Sequence, residues 1–301
     1  MNTSRRSFIR NSSLLIAGTA LLSKTAFASA KPNEIMGLQL YSVRDDMMKD
    51  PKGTLKQVAE IGYKHVEHAG YTDGKFYGYT PVEFKKVMDD FGLKMPCGHT
   101  VMGINHWDAA KKDFTDVWKK TVEDAATVGQ QYVVSPWMDE AIHKNYDSFM
   151  NFLDLFNQCG ALCRKSGMKF GYHNHWFEFT EKLNGTLIFD LMMQNLNFDL
   201  FAMQLDMGNM YIAGAKASDV LNQYPGKFEL LHVKDEIAST NAEKFESAVL
   251  GKGVINAKEA TDLARKIGGT KIYIVEQEAY QQLTPLQAVK EDFKVMKQWG
   301  F

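Results

Sequence analysis

Lys169–Phe179 reads KFGYHNHWFEF, and the fold turns on that stretch. Lys169 to Tyr172 can pair in a sheet, and the run then ends in His173, Asn174, His175 and Glu178, which are too polar for ordinary core. A strand whose end opens into a pocket accounts for both halves. The design recurs three times downstream, in MQLDMGN at 203–209, LLHVKDE at 230–236 and IYIVEQE at 272–278. Each begins apolar and finishes acidic or basic. Four successive strands thus carry Glu178, Asp206, His232 and Glu276 toward one rim. Three carboxylates and one imidazole make a divalent-metal donor set.

Upstream, the same beat of apolar run and amphipathic stretch continues. Strands are expected at Ile35–Val43, Lys64–His68, Leu93–His99 and Gln131–Ser135, then at Phe170–His173, Ala202–Asp206, Phe228–Val233 and Lys271–Val275. Helices fall between them, one opening with Thr80 as cap and Pro81 in its first turn and one running from Tyr146 to Ser166 before Gly167. Eight strand–helix beats imply an α/β fold, a (β/α)8 TIM barrel in a single domain over residues 31–301. The rival, an open doubly wound sheet, usually carries a glycine-rich first turn, whereas the first strand here ends in Tyr41-Ser42-Val43-Arg44.

The chain has 301 residues, 45% hydrophobic and 24% charged, with formal net charge −1. That balance provides a sizeable core and no field for nucleic acid or an anionic membrane. Cys97, Cys159 and Cys163 lack metal-ligand or CxxC spacing and read as buried spectators. Residues 1–30 read as an export signal: Arg5-Arg6 precede an apolar run, Leu14 to Leu22, too short to span a bilayer, and Ala26-Phe27-Ala28 offers a small-residue cleavage site. The run S-R-R-S-F-I-R resembles a twin-arginine signal, which implies an exported, periplasmic protein.

Polar residues close nearly every expected strand. His99 is read as a contact to sugar hydroxyls or as a local structural group. Glu67 reaches substrate or pairs with His68. His173 shares the direction of His175 if the strand persists. Asn209 caps a turn or touches sugar, and Lys234 offsets charge on a substrate oxygen or pairs with Glu236. Trp107, Trp137 and Trp176 offer aromatic faces to a sugar ring or pack loops onto the barrel. Gly251–Gly253 is a weak phosphate cradle.

Taken together, YHNHWFEF, QLDMGN, LLHVKDE, IYIVEQE and the opening GLQLYSVRDDMMKDPKGTLKQVAEIGYKHVE resemble the xylose-isomerase-like TIM-barrel superfamily. Within it they resemble the sugar phosphate isomerase/epimerase group, which includes inosose dehydratases and ketose 3-epimerases. The resemblance implies one divalent ion, Mn2+ before Zn2+, Co2+ or Mg2+, held by Asp206, His232 and Glu276. Ketose 3-epimerases place a glutamate at the end of strand five, where this chain has Tyr172 or His173. Glu178 is therefore the preferred first ligand, with His173 or His175 as the alternative.

The chemistry that suits such a site is removal of a proton beside a carbonyl, with the cation offsetting charge on the resulting enediolate. Glu276 is expected as principal base, Glu178 as its counterpart on the other face, and His175 as a proton donor. The leading expectation is an isomerase or epimerase acting on an unphosphorylated sugar, because export separates the protein from phosphorylated metabolites. A lyase acting by β-elimination on a keto-inositol or 3-keto-glycoside is the alternative, and a carbohydrate-binding barrel is the non-enzymatic one. No organic cofactor and no nucleic-acid partner is expected, and a homodimer is the expected assembly.

Overall fold

The structure, a computed structural model, describes residues 34–301; the expected export signal lies outside the described residues. Eight parallel strands close into a barrel: β1 (Ile35–Gln39), β2 (His65–His68), β3 (Lys94–His99), β4 (Tyr132–Ser135), β5 (Lys169–His173), β6 (Phe201–Asp206), β7 (Leu230–Val233) and β8 (Ile272–Val275). Each pairs with its sequence neighbours, and β1 closes the ring on β8. The expected (β/α)8 barrel is therefore the fold, with strand limits shifted by a few residues at most positions.

The largest shift is in β1. It stops at Gln39, not Val43, because Leu40–Val43 turns into a 3-10 helix whose Tyr41 N–H donates to the Gln39 side chain at 3.1 Å. That turn bends the chain away from the sheet and leaves Gln39 at the barrel mouth. Helix starts follow their capping chemistry. Thr80 and Glu83 form a reciprocal box before Pro81–Asp90, with the Thr80 N–H donating to Glu83 at 2.9 Å.

Alternation along the strands divides the barrel core into two shells. Inside lie Cys97, Tyr132, Val134, Ala202, Leu230, Ile272 and Ile274, a small apolar plug. Outside, larger side chains meet the helices. Phe156, on the helix Tyr146–Arg164, packs on Phe170, Tyr172 and Phe201 with ring centroids 5.1–5.9 Å apart. Burying each such ring stabilises the fold by about 1.5–3 kcal/mol. Gly171 allows close strand contact, since a Cβ there would lie 2.8 Å from the Ala202 carbonyl oxygen.

At the opposite end from the site, Glu229 accepts hydrogen bonds from Tyr132 (2.6 Å), Lys169 (2.6 Å) and Lys271 (2.8 Å). The plug and this network close the barrel floor and leave its C-terminal mouth open. Four short antiparallel hairpins in the loops were not legible in the sequence; the one formed by Asp235–Ala238 and Phe245–Ala248 borders the mouth. The three cysteines are free and buried, and Cys159 Sγ accepts the Trp118 indole N–H at 3.1 Å. Among the described residues no helix is long and apolar enough to cross a membrane.

Candidate metal centre and sugar cavity

Inward-facing positions at the C-terminal ends of six strands supply the mouth of the barrel. Those positions hold Gln39, Glu67, His99, His173, Gln204 with Asp206, and His232, and Glu276 follows immediately after β8. All are buried. One donor atom from each of His173, Asp206, His232 and Glu276 lies within 4.8 Å of the others, and His99, His173 and His232 meet the same condition.

Two layers of contacts hold this group. Glu67 Oε1 lies 2.5 Å from His232 Nε2 and accepts from Gln39 at 2.8 Å, while Glu67 Oε2 accepts from Gln204 at 2.7 Å. Gln204 Oε1 faces His99 Nε2 at 2.7 Å and His173 Nδ1 at 3.2 Å. On its other side, His232 Nδ1 faces Glu276 at 2.9 Å and Asp206 at 3.5 Å. Asn174 splints β5 to β6, accepting the Asp206 N–H at 2.9 Å and donating to the Asp206 carbonyl at 3.1 Å. Asn209 donates its backbone N–H to Asp206 Oδ1 at 2.6 Å, and its amide nitrogen sits 3.3 Å from His173 Nε2. Lys234 Nζ stands 3.2 Å from Glu276 and 3.6 Å from Asp206 and also pairs with Glu278.

Glu178, expected as the first ligand, lies elsewhere. Its carboxylate accepts from the Tyr172 hydroxyl at 2.6 Å and from the His175 backbone N–H at 2.9 Å. The Tyr172 ring packs on Phe156 outside the strands, so Glu178 is drawn to the outer shell. The inward position belongs to His173, the alternative, which gives two imidazoles and two carboxylates. His175 lies beside the group, its ring 5.2 Å from His173, with Nδ1 buried and no hydrogen-bond partner.

The tryptophans separate. Trp137 and Trp176 line the cavity above the group, whereas Trp107 packs edge-on against Phe114 at 5.1 Å and is not among the lining residues. Reading the motifs also passed over Gln204 and treated Glu236 only as a partner for Lys234. Gln204 was recoverable from alternation two residues before Asp206.

Charge at the site follows from burial and its partners. Burial alone would raise Glu67, but His99 and His232 hold it near 2. Burial works against charge on His232 as well, yet Glu67 and Glu276 keep its imidazolium favoured well above the ordinary range. Against burial, Lys234 and His232 hold Glu276 well below the usual carboxylate range. Burial, then the neighbouring imidazoles, keeps His173 neutral. Burial also pulls His175 down to about 4, and pushes Glu236 up to about 7.

The donor set fits a divalent ion on one observation above all. Asp206 Oδ2 is fully buried with no hydrogen-bond partner, yet it faces His173, His232 and Lys234. Lys234 and His232, at 3.6 and 3.5 Å, offset part of the cost of burying that carboxylate, and a divalent ion among the four donors would offset it further. Mixed imidazole and carboxylate donors suit a borderline divalent metal.

Residues 55–299 match the family described as xylose isomerase-like TIM barrel. A sugar phosphate isomerase/epimerase from Parabacteroides distasonis superposes with a TM-score of 0.75 at 27% identity, covering 91% of this chain and 97% of that one. A second from the same organism gives 0.73 at 26% identity, covering 88% and 98%. Inosose dehydratase of Clostridium perfringens is 29% identical over 109 residues, which are 35% of this chain and 35% of that relative. Matched over most of its length, with a buried metal-coordinating cluster at the mouth of a catalytic barrel, the chain is a metal-dependent enzyme and belongs to the xylose isomerase-like TIM-barrel family.

Proposed function

We propose that the protein removes a proton beside the carbonyl of an unphosphorylated sugar or keto-sugar and returns it elsewhere, as an isomerase or epimerase. The observation that carries this reading is the partnerless Asp206 oxygen among His173, His232 and Glu276. An ion held by His173, Asp206, His232 and Glu276 would supply positive charge against the substrate oxygens.

Glu276, held ionised, is the base that takes the proton. The C–H electrons pass to the carbonyl oxygen, giving an enediolate. Lys234 steadies Glu276 and adds positive charge at the same edge. His175 was the expected donor, but at about 4 it carries no extra proton near neutrality. Glu236, at about 7 and on the cavity wall, is the better group to return the proton, with His175 donating a neutral hydrogen bond.

Two features support an unphosphorylated substrate. Among the described residues lining the cavity, Asp73, Glu236, Glu243, Glu246, Glu276 and Glu278 are carboxylates and Lys234 is the lysine. The Gly251–Gly253 loop has spent its anion-binding N–H groups on Asp235, which accepts from Gly251 at 2.9 Å and Gly253 at 3.0 Å. A neutral substrate also agrees with the periplasmic location we infer from Arg5-Arg6.

Elimination is the second reading. It is favoured by a cavity of about 950 Å3, large enough to hold a departing group beside the sugar. The test is to strip metal with a chelator, restore Mn2+, Co2+ or Zn2+ singly, and follow deuterium uptake from solvent into keto-sugars with and without a β leaving group. Metal-dependent uptake without release supports the first reading, and release of the group supports elimination. Uptake indifferent to metal would sink both.

A further inference from the structure

The cavity over the metal centre has two unlike walls. On the β7–β8 side it is charged, with Lys234, Glu236, Glu276 and Glu278. On the side of the loops after β4 and β5 it presents Trp137 and Trp176, which are 42% and 46% exposed. Indole area is costly to leave in water, and neither ring has been used up in packing the loops. Trp137 is nonetheless held in place, edge-on to His175 at 5.1 Å and to Phe177 at 6.1 Å. His175 in turn lies 5.2 Å from His173, so a file of ring contacts links Trp137 to a metal donor. The indole thus borders the metal group through His175 without belonging to it.

A single sugar ring leaves most of a cavity of about 950 Å3 to water, since pockets for drug-sized ligands span roughly 300–1,000 Å3. Hydrogen-bonding groups other than the metal donors also line the cavity, including Thr72, Asp73, Thr100 and Asn241. A cavity that offers both aromatic faces and polar side chains matches a pyranose, whose ring faces are apolar and whose edge carries hydroxyls. A purely aromatic occupant would make no use of the polar lining.

We propose that Trp137 and Trp176 form a second-ring subsite, so that the natural substrate is a neutral disaccharide-like glycoside with one ring at the metal centre and the other on the indoles. The inference rests on the reading of this cavity as a sugar site. It places the specificity of the enzyme in the loops after β4 and β5, apart from the metal donors.

The experiment titrates the full-length protein with a neutral, non-reacting disaccharide, the matching monosaccharide and an aryl glycoside. Calorimetry and tryptophan fluorescence are read with and without Mn2+. Trp137→Ala and Trp176→Ala should each weaken disaccharide binding by roughly three- to tenfold and leave the monosaccharide within about twofold. Trp137→Phe should recover part of the loss, which guards against a folding defect. Bound Mn2+ should be the same in every variant, so failure of the metal reading would register separately, as protein that takes up no metal. The proposal is overturned if the variants weaken both sugars alike, if neither sugar is affected or bound, or if the aryl glycoside alone depends on the indoles.

Discussion

The two halves of the barrel mouth use similar residues to opposite ends. Around β1–β4, Gln39, Glu67 and His99 satisfy one another through Gln204, and Glu67 makes close contacts with Gln39, Gln204 and His232. Around β5–β8, His173, Asp206, His232 and Glu276 converge with one carboxylate oxygen lacking a hydrogen bond. The first half is tied by hydrogen bonds among Gln39, Glu67, His99 and Gln204, and the second gathers imidazole and carboxylate donor atoms round Asp206 Oδ2. A polar strand end is thus ambiguous in itself. What marks the reactive half is the convergence of two imidazoles and two carboxylates within 4.8 Å, since an unmet buried atom by itself also occurs at His68 on β2.

The most severe way to break this division is Glu276→Gln. Removing the proposed base should slow solvent exchange into a keto-sugar by roughly 10²–10⁴-fold. His99→Gln, which alters the first half, should cost far less. Exchange that survives in Glu276→Gln at the wild-type rate would take proton transfer away from β8.

Glu67→Gln tests how far the first half serves the other. Glu67 sits at 2.5 Å from His232 Nε2, so it fixes the ring with Nδ1 toward Asp206 and Glu276. Losing that carboxylate should weaken metal binding by roughly 10–100-fold, the usual effect of removing a ligand's hydrogen-bond partner. Isothermal titration with Co2+ or Mn2+ reads this directly, and an unchanged affinity would reduce Glu67 to packing.

A smaller change sharpens the donor set. His173→Glu replaces an imidazole with a carboxylate, and harder oxygen donors favour Mn2+ and Mg2+ over Zn2+. The preference for Mn2+ over Zn2+ should rise by about tenfold in competitive metal loading. No change in preference would place His173 outside the coordination sphere.

How much of this was readable from the chain depends on the kind of signal. Asp206, His232 and Glu276 each end an apolar run, so strand pairing alone brings them to one rim. The β5 donor was harder, because Glu178 looks like a metal carboxylate while His173 looks like one polar residue among several. The deciding facts were three-dimensional: Tyr172 points outward to Phe156 and draws Glu178 with it, while alternation turns His173 inward. The hairpin Asp235–Ala238 and Phe245–Ala248 escaped for a different reason: its pairing spans a loop without a strong alternating pattern. Glu236 sits on that hairpin, so its place on the cavity wall was hidden with it.

The last expected effect is on stability and leaves the chemistry alone; it concerns Glu178, the acid outside the donor group. Burial pushes its carboxyl from 4.5 up to about 8, despite the Tyr172 and His175 contacts that favour the anion. The unfolded chain gives up this proton near the usual value, while the folded chain holds it to about 8. Between those limits the folded state binds more protons, so this group makes stability fall as pH rises, by at most about 1.4 kcal/mol per pH unit. Glu178→Gln cannot ionise and should remove that slope. It should also lose the hydrogen bond at one of the two acceptor positions, so the variant is expected to be less stable than wild type near pH 5 and to gain on it steadily toward pH 8. Chemical denaturation of both proteins across that range measures the difference. A gap independent of pH would mean that Tyr172 and His175 keep Glu178 ionised throughout, making it a satisfied anion of the outer shell.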